Sequence, residues 1–380
     1  MTPSPPPASP SGPSPLRIGL AGLGHFGRQH AAVLGDLAGV ELAALCDPDP
    51  EALRPLLERH TGARGYSSFE ALIADPALDA IVIVTPEPLH LEHGLAALAS
   101  GRPVFLEKPM AASVAGAEQL QQAALAAGVP LQIGLVLRYE TSHALLRQEI
   151  VSGRFGDLVS IRVKRNCSRP WAAHHLDRVP TVHETLIHDL DLMLWLGGSP
   201  AKQVMAMERQ PAAHAHSEAV TALIRFRSGT LGLAESSWFV PAQAPVNVAA
   251  GAWHGTIDAE LEVVGTLRTA RLRLLDSPLQ IWSDQHCEAV ETGLWPLLHG
   301  TIRGALRDQL ADFAACVREG RPSRIASLED AVEGLRIAEA IVGSAATGQP
   351  VLLDPARAGF SPPAGCAASR RSFRGSAAAG

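Results

Sequence analysis

The run Leu16-Arg17-Ile18-Gly19-Leu20-Ala21 passes directly into Gly22-Leu23-Gly24-His25-Phe26-Gly27, and that junction constrains the chain more than any other stretch. A short apolar run bounded by turn residues reads as a buried parallel strand. Arg28 to Leu37 has helical composition, and Val40 to Cys46 is a second strand ending at Asp47. Strand, GxGxxG, helix, strand and acid in this register describe a dinucleotide-binding βαβ unit. Gly22 permits the tight turn, Gly24 lets a pyrophosphate reach the backbone, and Gly27 lets helix lie on strand. The helix start then offers free N–H groups to the phosphates. His25 and Phe26, inside the loop, are further cofactor-binding candidates. Asp47 would accept hydrogen bonds from ribose hydroxyls and repel a 2′-phosphate. Pro48, Asp49, Pro50 and Glu51 follow, with no arginine to welcome that phosphate, so NAD is favoured over NADP.

The alternation continues. Asp79 to Val84 reads as a strand, Leu89 to Ser100 as a helix, and Pro103 to Leu106 as a strand. Ser113 to Ala127 is an Ala-rich helix, and Pro130 to Val136 closes the sheet. Thr85-Pro86 ends one strand as Glu107-Lys108-Pro109 ends the next, which puts both on the edge where open α/β sheets bind ligands. Lysine is scarce: Lys108, Lys164 and Lys202 are the only three among 32 basic residues. Pro109 biases Lys108 toward an extended backbone, so a compact ammonium is aimed from the strand end. A solvated ion pair before a turn would read the same way. His90 at the next helix start is open to two readings, a cofactor contact or a satisfied helix-start histidine.

After about residue 137 the rhythm changes. His143 to Val151 reads as a helix, and Leu158 to Lys164 as a strand with one solvated, basic face. Thr221 to Phe226 with Thr230 to Trp238, and Ala259 to Val264 with Leu267 to Leu275, read as hairpins of an antiparallel sheet. Two helices, Ile302 to Arg318 and Leu328 to Thr347, come late, and the sequence does not say which domain they join. Thr181 to Trp195 is helical by period. Leu186, Ile187, Leu190, Met193 and Leu194 form an apolar stripe, and Glu184, His188, Asp191 and Trp195 share another face. A carboxylate one turn before a histidine can orient and tune the imidazole for acid–base work, although an i, i+4 surface pair has the same spacing. His174, His175, Asp177, His183 and Glu184 lie close together, but they match no HExxH or facial pattern, and no metal is expected.

The length suits two domains. The fold expected is α/β: a Rossmann doubly wound parallel sheet over 16–136, then an α+β domain with a mostly antiparallel sheet over 137–355. Residues 1–15 and 356–380 read as a disordered lead and tail. A net charge of −6 gives no basic field for nucleic acid or an anionic membrane. Five widely spaced cysteines without a CxxC pair fit a reducing cytoplasm, and no apolar stretch is long enough to span a bilayer.

With these marks in view, the chain resembles the glucose–fructose oxidoreductase / inositol dehydrogenase (Gfo/Idh/MocA) family over nearly all of 16–353. The marks are the Gly22–Gly27 loop, Thr85-Pro86, Glu107-Lys108-Pro109 and Ile187-His188-Asp189-Leu190-Asp191. Softer ones are Arg138-Tyr139, Gly153-Arg154-Phe155-Gly156 and Glu262-Val263-Val264-Gly265-Thr266. The resemblance implies hydride transfer between the nicotinamide and a secondary alcohol or ketone of a sugar, polyol or cyclitol. His188 would be the general base, Lys108 would hold the hydroxyl and depress the histidine pKa, and Lys108-Pro109 would be cis. It also implies a homodimer or homotetramer joined through the open face of the second sheet. The family commonly has Asp where Glu184 stands and Gly where Leu186 stands, which leaves open whether Glu184 holds substrate or only orients His188. Arg138, Tyr139, Trp171 and His175 are candidate substrate contacts by neighbourhood alone. A non-catalytic NAD(P)-binding regulator of the same fold, an NAD-dependent redox-neutral glycosidase and a metal-dependent enzyme are the competing readings. The particular sugar or polyol and the physiological direction are not written in the sequence.

Overall fold

A computed structural model describes residues 14–170, 177–210, 216–250, 253–276, 279–284 and 287–354. Its first half alternates strand and helix: β1 (Leu16–Ala21), α1 (His25–Leu34), β2 (Val40–Cys46), α2 (Pro50–Arg59), β3 (Arg64–Tyr66), α3 (Phe69–Ile73) and β4 (Ala80–Ile83). α4 (His90–Ala99), β5 (Val104–Leu106), α5 (Val114–Ala127) and β6 (Leu131–Ile133) complete it. All six strands pair in parallel in the order β3-β2-β1-β4-β5-β6. The order reverses beside β1, and a crevice opens there at the carboxyl ends of β1 and β4. The strands are continuous apolar runs because helices cover both faces of the sheet; Ile18, Leu20, Ile81, Ile83, Val104 and Phe105 are fully buried.

Helix starts separate into two kinds. Asp49, Ser68 and Ser113 cap α2, α3 and α5 with side-chain oxygens. Gly24 has no side chain to cap α1, which leaves the first-turn N–H groups open to an anion.

The second half holds α6 (Thr141–Val151), β7 (Leu158–Ser168), α7 (Ile187–Gly197), β8 (Ala201–Arg209), β9 (Ala219–Phe226) and β10 (Leu231–Val240). Of the later strands, Ile257–Gly265, Thr269–Arg273 and Val351–Leu352 join the same seven-stranded sheet. Every pairing in it is antiparallel except β10 with β7. β9 and β10 form the expected hairpin, with Leu233 opposite Leu223. α7 packs its apolar side on this sheet, where Leu190 and Met193 are fully buried.

The two late helices settle differently. α8 (Ala305–Glu319) places Leu306, Leu310 and Phe313 in the same core as Ile18, Leu20 and Phe105 of the first domain, although it follows the second sheet in the chain. α9 (Leu328–Thr347) lies against α5, α7 and β8 and bridges both domains. Among the described residues no helix is long and apolar enough to cross a membrane.

Candidate active site

A cleft of about 730 Å³ runs from the Gly-rich loop to the start of α7. Its first wall is the crevice of the parallel sheet. Gly22 has φ +88°, and a Cβ there would overlap the Val84 carbonyl; a Cβ on Gly27 would overlap the Gly22 carbonyl. A Cβ on Gly24 would meet nothing within 4 Å, so open space lies where a pyrophosphate has to approach. Asp47 Oδ2 accepts the Leu23 N–H at 2.7 Å and Oδ1 the Asp49 N–H at 2.9 Å, so the acid at the end of β2 also braces the loop. Ser67, Phe69 and Glu70 line the same end. Another acid there adds to the field against a 2′-phosphate, and Phe69 stacks on His93 at 4.0 Å between ring centres. These residues fit an adenosine and pyrophosphate.

Gly22, Gly24, His25, Phe26, Asp47, Thr85, Pro86, His90, Glu107 and Lys108 all line the cleft. His90 is also a structural tie. Its ring nitrogens face the Pro109 carbonyl at 2.7 Å and the Thr85 carbonyl at 2.8 Å, joining the turns after β5 and β4. Glu107 turns inward, 3.1 Å from His30 Nε2, and Lys108-Pro109 is cis.

The second wall comes from the chain before α7. Residues Val182–Leu186 form a π-helical turn that passes into α7 at Ile187. The expected single helix over Thr181 to Trp195 is therefore broken in register, and the four-residue face does not hold. Glu184 and His188 line the cleft, whereas Asp191 is buried against Arg138 and the Trp195 ring lies 5.5 Å from the Arg138 guanidinium. Such a bulge re-aims side chains that a regular helix would stack. Thr185 is pinned by the Trp238 indole N–H at 3.0 Å, and Thr181 by Ser236 at 2.8 Å, so the turn is fixed to β10.

Lys108 Nζ donates to the Glu184 carbonyl at 3.0 Å and lies 3.2 Å from Glu184 Oε2. Glu184 thus answers the lysine from across the cleft. Burial presses the His188 pKa well below its usual 6.5, and the nearby cations Lys108 and Arg165 press it further, so the ring is neutral at pH 7. Arg165, near the end of β7, is a cleft residue that the expected strand, ending at Lys164, leaves out. It follows the basic residues on the solvated face of β7 but points inward, and it grips Asp189 through Nε at 2.6 Å and Nη2 at 3.0 Å. Two sequence signals mark it: strand alternation sets it on the face of Ile161 and Val163, and Asp189 is an acid beside the apolar stripe that needs a buried partner. Trp295, Leu294 and Arg178 are cleft residues that no motif marks.

Two substrate candidates are corrected. Arg138 is 2% exposed and bonds Asp191, Asp330 and the Ile325 carbonyl, and the Tyr139 hydroxyl bonds Asp312, Ser323 and Gln132. Neither lines the cleft; both tie the end of the parallel sheet to later helices, because buried charges and hydroxyls need partners. Trp171 and His175, with His174, lie outside the described residues.

A Rossmann domain facing an α/β domain across a cleft, with a lysine from one and a histidine from the other, defines a two-domain nicotinamide-dependent oxidoreductase. Two family models agree. One described as "Oxidoreductase family, NAD-binding Rossmann fold" matches residues 16–135, and its C-terminal alpha/beta domain matches 147–353. The chain belongs to this Gfo/Idh/MocA oxidoreductase family, and its cofactor is NAD. Among curated proteins it is similar to an inositol 2-dehydrogenase of Acidothermus cellulolyticus, 32% identical over 195 residues, covering 50% of this chain and 56% of that relative. It is also similar to one of Pseudomonas savastanoi pv. phaseolicola, 28% identical over 309 residues, covering 77% of this chain and 88% of the relative. Among solved structures, myo-inositol 2-dehydrogenase from Lactobacillus plantarum superposes with TM-score 0.77 at 22% identity, over 90% of this chain and 100% of that one. Scyllo-inositol dehydrogenase from Lactobacillus casei, with bound NAD(H) and scyllo-inositol, superposes with TM-score 0.75 at 20% identity, over 89% and 99%. At these identities the solved structures speak to the fold.

Proposed function

We propose that the chain is a dehydrogenase of polyols, cyclitols or related sugars, with His188 and Lys108 as its catalytic pair. The observation that carries this is the convergence, in one cleft, of a half-buried neutral imidazole on α7 and an ammonium just past the end of β5. When bound, NAD supplies the nicotinamide carbon that takes or returns hydride. The remaining work falls to side chains. Lys108 donates a hydrogen bond to the reacting hydroxyl and stabilises negative charge as its proton leaves. His188 Nδ1 or Nε2 accepts that proton, or returns it in the reverse direction. Glu184 positions Lys108 by holding Nζ from two directions, and Arg165 with Asp189 closes the floor without leaving an unpaired charge.

Inositol 2-dehydrogenases among the relatives support a neutral, hydroxyl-rich substrate. So does the charge pattern of the cleft among the described residues: Lys108 faces Glu184, Arg165 faces Asp189 and Arg178 faces Glu87. A cytoplasmic homo-oligomer belongs to the same reading. Val159, Met207, Leu223 and Leu231 are exposed apolar side chains on the second sheet, and they support its outer face as the contact between copies.

The test is NADH formation with purified protein against cyclitols, aldoses, sugar acids and nucleotide sugars. Turnover confined to neutral cyclitols or sugars is expected. Tight NAD binding with no turnover across the panel would favour the regulator reading instead, and sugar release without NADH accumulation would favour the glycosidase.

A further inference from the structure

Between the second sheet and α8 the chain makes a turn that no motif announces. Glu291 folds its carboxylate over its own backbone and accepts the N–H groups of Gly293, Leu294 and Trp295, the last two at 2.6 and 3.3 Å. The far side of the turn is tied to α8. Ala305 N–H donates to the Gly293 carbonyl at 2.9 Å, and Leu306 N–H donates to the Leu294 carbonyl at 3.0 Å. Gly304, at φ +76°, sits too close to the Gly293 carbonyl for any Cβ. This bracing fixes the turn. It sets Trp295 edge-on to Phe26 of the Gly-rich loop, at 5.7 Å between ring centres and 70° between planes.

The position of this pair along the cofactor follows from its neighbours. Phe26 meets His30 at 4.7 Å, and His30 lies 5.7 Å from Phe105 and 3.1 Å from Glu107. Those contacts belong to β5 and to Glu107, which follows it and leads directly to Lys108. Asp47 and Phe69 mark the adenosine end on the opposite side of the loop. The Phe26–Trp295 wall therefore stands at the nicotinamide end.

We propose that Trp295 is a cofactor-positioning residue, its ring and Phe26 forming the wall against which the nicotinamide riboside of NAD is seated. Glu291 is the residue that sets the ring. This rests on the assignment of the cleft as the NAD site. An aromatic face gives a planar heterocycle area and orientation without a charge of its own, and orientation is what hydride transfer demands.

The test uses the full chain with W295A, W295F, E291A and E291Q, following NADH binding by its own fluorescence and by energy transfer from protein tryptophan. The chain has six tryptophans, so five donors remain after the change. W295A is expected to weaken NADH about tenfold and to lower kcat, with W295F within about threefold of wild type, since a phenyl ring keeps the wall. In W295F the energy transfer per bound NADH should drop although binding persists, because the nearest donor is gone. E291A should follow W295A, and E291Q should fall between E291A and wild type, since one amide oxygen can still accept from Gly293 and Leu294 while its NH2 cannot accept the Trp295 N–H. Wild-type affinity and undiminished energy transfer in the Trp295 variants would overturn the proposal. Failure of the NAD assignment looks different, since wild-type protein itself would then not bind NADH.

Discussion

Lys108 and Glu184, 76 residues apart and contributed by different domains, meet with Nζ 3.2 Å from Oε2. The carboxylate balances the ammonium and fixes its position, and the adjacent carbonyl at 3.0 Å leaves the remaining N–H free for a substrate oxygen. K108A should therefore cut kcat by about 10³ or more, while NAD affinity stays within about twofold. Steady-state kinetics with a separate NADH titration checks both halves. Full turnover in this variant would refute the catalytic pair.

Glu184 acts through the lysine, so E184Q should be milder than K108A. An amide still accepts from Nζ but no longer balances its charge, and a loss in kcat of about 10- to 100-fold is expected. E184Q should leave the KM for NAD unchanged, which a split of kcat from KM would show.

The neutral state of His188 sets a pH dependence with a definite sign. Burial and then the Lys108 and Arg165 cations lower its pKa, so alcohol oxidation should keep its base below pH 6.5, where a free histidine would be protonated. K108M removes one cation and should move the ring's pKa upward. Titration of labelled histidine by NMR reads this without needing turnover. The same burial costs stability in acid. The unfolded chain takes up these protons near 6.5, whereas folded His183 resists until about 4. Stability linked to these rings is complete above pH 6.5 and declines as pH falls from there toward 4. Calorimetry over that range should show Tm dropping.

Asp47 braces the Gly-rich loop at Leu23 and, on the proposed function, accepts from the adenosine ribose; D47S should expose both. Losing the ribose acceptor and the brace on Leu23 should weaken NAD, while removing the negative field should ease NADP. The preference for NAD over NADP is expected to fall about tenfold or more, as read from paired KM values.

Arg138 offers a contrast. R138M strands Asp191, itself 2% exposed, and takes a partner from Asp330. A loss of about 3–5 kcal/mol in denaturant unfolding is expected, because one half of a buried ion pair remains. Molecules that still fold should show a substrate KM within about twofold of wild type.

That contrast marks where the sequence stops being informative. Gly22, Gly24, Gly27 and Asp47 are legible because each serves a local backbone need at fixed spacing. Lys108 is legible because strand ends of an open parallel sheet face one crevice. His188 does line the cleft, but the sequence pattern makes Glu184 its helical partner rather than the lysine's, since a 3.6-residue period cannot announce a π turn. Arg138 and Tyr139 resemble substrate contacts because a polar pair beside a strand end carries no mark of burial. Leu294 and Trp295 are hidden for a different reason. Each reaches the cleft through tertiary placement of a loop, and no period or motif encodes that placement.

The return of α8 to the first domain has a further consequence. Leu306, Leu310 and Phe313 complete a core that begins at Leu16, so the polypeptide passes between the two halves more than once. Cutting after residue 136 would not release an independent nucleotide-binding fragment, because it would strip Ile18, Leu20 and Phe105 of their cover. Any rocking of one half against the other must bend three chain crossings at once: after β6, on the way into α8, and on the way out to the Val351–Leu352 strand.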